Sequence, residues 1–115
     1  MFSCLITAAR DCAPSSFNDQ FTREDLGVQE KIYAFYQIRN GTAQSCEFYV
    51  QKVDTVVSYT STYRESLEKQ NNSEREIDEM LQSLQNNVDK SKGHDKRCYF
   101  TAENLTSILT RWERG

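Results

Sequence analysis

Apolar positions recur along the chain in four stretches with helical spacing. After Thr22, the residues Val28, Ile32, Phe35 and Tyr36 line up on one stripe. Thr22-Arg23-Glu24-Asp25 reads as a capping box before it, and Asn40-Gly41 as a left-handed stop after it. Over residues 43–70, Cys46, Tyr49, Val53, Val56, Thr60, Tyr63 and Leu67 step by three and four without a break, the seam of a long helix. Ser73-Glu74-Arg75-Glu76 is a second capping box; it opens the stripe Ile77, Met80, Leu81, Leu84 and Val88, which Gly93 ends. A last stripe starts at Thr101 and runs through Leu105, Ile108, Leu109 and Trp112.

Two segments carry a competing pattern. Ile32-Tyr33-Ala34-Phe35-Tyr36-Gln37-Ile38 is rich in strand formers, and Asn-Gly is also the favoured two-residue hairpin turn. Residues 55–60 have poor helix propensity as well, which implies a weakening or bend around Thr60-Ser61-Thr62. Length favours helix, because the 28 residues of 43–70 contain no Gly or Pro and span ~42 Å as a helix. The expected fold is therefore all-α: a small antiparallel bundle of about four helices over residues 22–115. An irregular N-terminal arm, residues 1–21, precedes it, with a short helix over 2–10. The alternative is an α+β fold with a hairpin around Asn40-Gly41.

Composition supports the helical reading. Four Gly and one Pro in 115 residues are few, and an all-β fold usually marks its frequent turns with such residues. At 37% hydrophobic the core is thin, and the net charge of −3 disfavours a general nucleic-acid or anionic-membrane binder. The longest apolar or small run, residues 4–9, falls far short of a membrane span.

Cys4, Cys12, Cys46 and Cys98 form an even set whose spacing matches no zinc motif. In an up-down-up-down bundle the starts of the second and fourth helices share one end. That geometry predicts the disulfides Cys46–Cys98 and Cys4–Cys12. Three glycosylation sequons begin at Asn40, Asn71 and Asn104. Residues 1–9 lack the charged start of a signal peptide. Disulfides and sequons together point to a secreted or extracellular protein, with Met1 standing where a leader was removed; the alternative is a cytoplasmic chain with reduced thiols.

Little reads as reaction chemistry. His94 is the sole histidine and lies in an expected loop; Glu74, Glu76, Asp78 and Glu79 read as a solvated helix face. Lys90, Lys92, Lys96 and Arg97 read as cations at a helix end. No catalytic, cofactor or metal residue is assigned. Aromatic residues exceed what one stripe can bury, which marks Tyr33, Tyr36, Tyr49 and Tyr59 as candidate contacts for a protein partner. The expected function is a non-enzymatic, secreted helical-bundle protein acting by protein–protein binding, as a signal, antagonist or surface module. Its alternatives are a secreted carrier of a small apolar ligand between the helices and an intracellular adaptor that dimerises through its long second helix.

Overall fold

The computed structural model describes residues 3–40 and 45–114, the side chain of Asn40 excepted. In chain order its elements are α1 (Ser3–Ala9), β1 (Ser15–Asp25), β2 (Val28–Asn40), β3 (Cys46–Tyr59), α2 (Ser61–Lys69), α3 (Glu74–Asp89), β4 (Asp95–Phe100) and α4 (Ala102–Arg114). The strands form one antiparallel sheet in the order β1-β2-β3-β4. The fold is α+β, and the expected all-α bundle does not form. Most of the expected arm is α1 and β1, the first expected helix is the end of β1 plus β2, and the long second helix is β3 followed by α2.

The reason is visible in β2. Ile32, Ala34, Tyr36 and Ile38 are buried while Tyr33, Phe35, Gln37 and Arg39 between them are half-buried. A period of two, with β-branched and aromatic side chains, outweighs the sparser match to a period of 3.6. In β3, Cys46 and Phe48 are buried on the same alternation. The three-and-four seam over residues 43–70 joined two elements because no Gly or Pro separates them. The break is Thr60, in extended conformation (φ −65°, ψ 154°), whose hydroxyl accepts from the Tyr63 N–H and caps α2. The seam proposed for an adaptor's dimerisation is thus divided between a strand and a nine-residue helix.

Two compact units share the strands. The first comprises the described residues of Met1–Asp19, Ala34–Gln51 and Asp95–Gly115. In it Leu5 and Ala9 of α1 and Leu105 and Leu109 of α4 bury themselves with Ala34, Tyr36, Ile38, Cys46 and Phe48. Tyr36 stacks on Phe48 with ring centroids 6.1 Å apart, and Trp112 closes on both rings. After α1 the chain turns through Cys12 (φ 51°), which is disulfide-bonded to Cys46 with Cα atoms 5.2 Å apart. Both expected pairings are corrected: Cys4 and Cys98 are free thiols. Cys98 lies on β4 opposite Phe48, and Cys46 opposite Phe100. The helix ends that were to bring Cys46 and Cys98 together do not exist, and the α1 turn meets the start of β3 instead.

The second unit comprises Gln20–Tyr33 and Lys52–His94. Its buried side chains are Ile32, Thr55, Val57, Leu67 and Ile77. β1 reverses into β2 through Leu26 (φ 50°) and Gly27 (φ 84°), and the Gly27 carbonyl accepts from the Thr60 N–H at 3.0 Å. The capping box of α3 forms as its sequence predicts, with Ser73 and Glu76 bonding each other's backbone N–H. From α3, the Gln85 carboxamide serves the backbone of β3: its oxygen accepts from the Val57 N–H at 2.9 Å, and its nitrogen donates to the Thr55 carbonyl at 2.7 Å. One side chain thereby does what a neighbouring strand would do.

Candidate functional site

In the first unit the sheet carries its helices on the side of Ala34, Tyr36, Ile38, Cys46 and Phe48. Alternation turns Phe35, Gln37 and Arg39 of β2 to the other side, with Glu47 and Tyr49 of β3. The β3–β4 register sets Glu47 opposite Tyr99, Tyr49 opposite Arg97 and Gln51 opposite Asp95. Tyr49 is the centre of this group and is only 8% exposed. The Arg39 guanidinium lies 4.1 Å from its ring centroid, and that of Arg97 lies 5.9 Å away. Phe35 meets the same ring edge-on at 6.2 Å.

Hydrogen bonds hold the group in place. The Tyr49 hydroxyl donates to Asp95 at 2.9 Å, and the Tyr99 hydroxyl donates to Glu47 at 3.1 Å. Arg39 Nε donates to Gln37 at 2.6 Å, and its Nη1 lies 3.5 Å from Glu47. Donation to Asp95, then burial, raises the Tyr49 phenol above its ordinary value, against the opposing pull of Arg39 and Arg97. Donation to Glu47 raises Tyr99 in the same way. The face thus carries two arginines, Arg39 and Arg97, and two carboxylates, Asp95 and Glu47, so its formal charges balance. With Tyr49 buried beneath Arg39, it offers guanidinium edges, the half-buried Phe35 and a Tyr99 that is 61% exposed.

The other tyrosines marked from the sequence fall elsewhere. Tyr36 is in the core, stacked on Phe48, where burial and the nearby Asp19 charge raise its phenol. Tyr33 is half-buried with Lys31 Nζ 5.8 Å from its ring, and Tyr59 packs on Tyr63 at 5.2 Å. Sequence reasoning passed over Arg39 and Tyr99 and read Arg97 as part of a helix-end charge cluster. Reading residues 35–39 and 95–99 with a period of two would have aligned them.

Asn71, in the left-handed conformation (φ 67°) between α2 and α3, and Asn104, in the first turn of α4, are both exposed. The side chain of Asn40 and the following Gly41 and Thr42 lie outside the described residues. Three of the remaining charged candidates form ion pairs: Asp78 with Arg64 at 3.0 Å, Glu79 with Arg75 at 3.1 Å and Lys92 with Asp54 at 3.9 Å. His94 accepts the Lys52 N–H through its carbonyl. Among the described residues, no group of His, Cys, Asp and Glu side chains is arranged to hold a metal ion, and no helix is long and apolar enough to cross a membrane. Surface concavities lie among Glu74, Arg75 and Asp78 and among Arg10, Glu103 and Thr106. The chain matches no family model, and no curated protein or solved structure is significantly similar to it.

Proposed function

We propose that this is a secreted, non-enzymatic domain that binds another protein through the sheet face centred on Tyr49. The observation that carries the proposal is the Arg39–Tyr49–Arg97 group, pre-ordered by Asp95 and Glu47, with Tyr99 exposed beside it. Tyrosine and arginine dominate the energetics of protein interfaces because they combine large contact area with directional polar groups. Holding them in place beforehand lowers the entropy cost of binding. The Cys12–Cys46 disulfide supports secretion, as do exposed sequons at Asn71 and Asn104.

The test has two parts. Expression in a eukaryotic secretory host should add glycan mass at Asn71 and Asn104, and bare asparagines at both sites would remove the secreted reading. A photo-crosslinking amino acid at Tyr99 should then capture one extracellular protein. Purified, that protein should bind the wild-type chain and lose affinity for Arg97→Glu by roughly tenfold or more. Equal affinity for both proteins rules the face out.

A further inference from the structure

We infer that β4 pairs along its outer edge with β4 of a second copy of this chain, and that a Cys98–Cys98 disulfide closes the dimer on its two-fold axis. Covalent closure rests on the secreted reading for its oxidising surroundings; the pairing geometry does not. β4 is a terminal strand, bonded to β3 alone among the described strands. All of it, Asp95–Phe100, belongs to the first unit. Cys98 is a free, half-buried thiol. A thiol left unpaired in a secreted protein points to intermolecular pairing or to free reactivity.

The β3–β4 ladder determines which backbone groups face outward. The Lys52 N–H donates to the His94 carbonyl at 2.9 Å, one step beyond the Gln51–Asp95 pair. Hydrogen-bonded and non-hydrogen-bonded pairs alternate along an antiparallel ladder. Lys96, Cys98 and Phe100 therefore bond to Val50, Phe48 and Cys46, while Asp95, Arg97 and Tyr99 turn their N–H and C=O groups away from β3. Among the described residues, nothing bonds to these outward groups. The side chains of Arg97 and Tyr99 keep their contacts with Tyr49 and Glu47, because the pairing uses backbone groups.

A second β4 must match odd positions with odd positions, and two registers keep most of the strand paired. An axis at Arg97 sets two guanidinium groups opposite each other. An axis at Cys98 pairs Arg97 with Tyr99 and Lys96 with Phe100, so that no two cations face. In that register Cys98 meets its own copy as a non-hydrogen-bonded pair, with Cα atoms about 4.5 Å apart. A disulfide spans about 4.4–6.8 Å between Cα atoms, so the thiols can join without moving the backbone. A short edge carrying Lys96 and Arg97 resists lasting non-covalent pairing. Such a contact buries less than the roughly 1,000 Å² of a stable interface, and the disulfide supplies the permanence.

The chemistry is thiol–disulfide exchange, with a small disulfide such as glutathione disulfide as the oxidant. One Cys98 thiolate attacks it and releases one glutathione; the Cys98 thiolate of the second copy then displaces the other. Both cysteines are oxidised, the oxidant is reduced to two thiols, and the two cysteine protons pass to the released thiolates.

Incubation of the full chain in a glutathione redox buffer tests this, read by non-reducing electrophoresis and by the mass of the linked peptides. Cys4→Ser keeps Cys98 as its free thiol and should dimerise at least roughly tenfold faster than Cys98→Ser, which keeps the more exposed Cys4. In a Cys4→Ser, Cys98→Ser background, Lys96→Cys places a thiol at an exposed position on the same face. Its partner position is Phe100, so it should link as slowly as Cys98→Ser does. Arg97→Pro, added to Cys4→Ser, removes an outward N–H without touching the bonds to β3 and should slow the linkage likewise. Circular dichroism checks its folding; if it fails to fold, the comparison with Lys96→Cys decides. Because the oxidant is supplied, bare asparagines would leave this result intact. Cys98 linking no faster than Cys4 or than a cysteine at position 96, or ending only as a mixed disulfide with glutathione, overturns the inference.

Discussion

Gly27 sits against Tyr63 so closely that a Cβ on the glycine would lie 2.6 Å from the tyrosine's Cβ, Cγ and Cδ2 atoms. Gly27 is also at φ +84°, in the left-handed region. Gly27→Ala should therefore lose about 1–2 kcal/mol to backbone strain and a further ~1–3 kcal/mol to overpacking, read as a lower urea midpoint. The neighbouring Leu26, at φ 50° and 88% exposed, contributes little packing at the tip of the turn. Leu26→Asn should stabilise by up to about 1 kcal/mol, since Asn-Gly is the favoured pair for this turn. Equal midpoints for all three proteins would mean that the turn does not constrain the fold.

The Cys12–Cys46 bond joins residues 34 apart in sequence. The chain-entropy model assigns such a loop about 4 kcal/mol. Reduction should lower the urea midpoint clearly, and Cys12→Ser should reproduce the loss. A non-reduced digest should yield a peptide linking Cys12 and Cys46, with the exposed Cys4 alkylated in the native protein. Recovery of a Cys46–Cys98 peptide would contradict the structure.

Alkaline pH should destabilise the protein. Tyr49 is raised from 10.0 by its hydrogen bond to Asp95 and by burial, Tyr99 by its hydrogen bond to Glu47, and Tyr36 by burial. The folded state holds these protons more tightly than the unfolded chain does. Their stabilisation is full below the unfolded value near 10.0 and is lost as pH rises through the higher folded values. Urea midpoints should fall over that window, and Tyr49→Phe should make the fall shallower. An unchanged slope in Tyr49→Phe would show that its proton contributes nothing.

Gln85 completes the backbone bonding of β3 at Thr55 and Val57. Gln85→Ala strands a donor and an acceptor in a half-buried place, a loss of about 1–3 kcal/mol. Gln82→Ala, on an exposed position of the same helix, should be near neutral. Amide exchange should accelerate at Val57 in the first variant alone. Comparable exchange in both would show that the carboxamide is dispensable.

The elements legible in the sequence are those specified by local chemistry. α3 and α4 begin within a residue of their expected starts, because Ser73 and Glu76 satisfy each other's backbone groups and Leu105 and Leu109 share one helical stripe, while α3 ends at Asp89, short of the stop expected at Gly93. Much of the candidate site was not legible. Tyr49 could be marked as an aromatic surplus, but Arg39, Arg97 and Tyr99 join it only through strand alternation and the β3–β4 register.

The sequence by itself determined the last two helices and the capping box of α3, since each depends on contacts within a few positions. Tertiary structure decided the state of residues 22–59, where helical and strand periods both matched the apolar residues. Burial of Ala34, Tyr36, Ile38 and Phe48 against Leu5, Leu105 and Leu109 requires side chains on one face of a sheet, and that long-range packing selected the period of two. It also decided the disulfide, because Cys12 reaches Cys46 only once α1 lies over the start of β3.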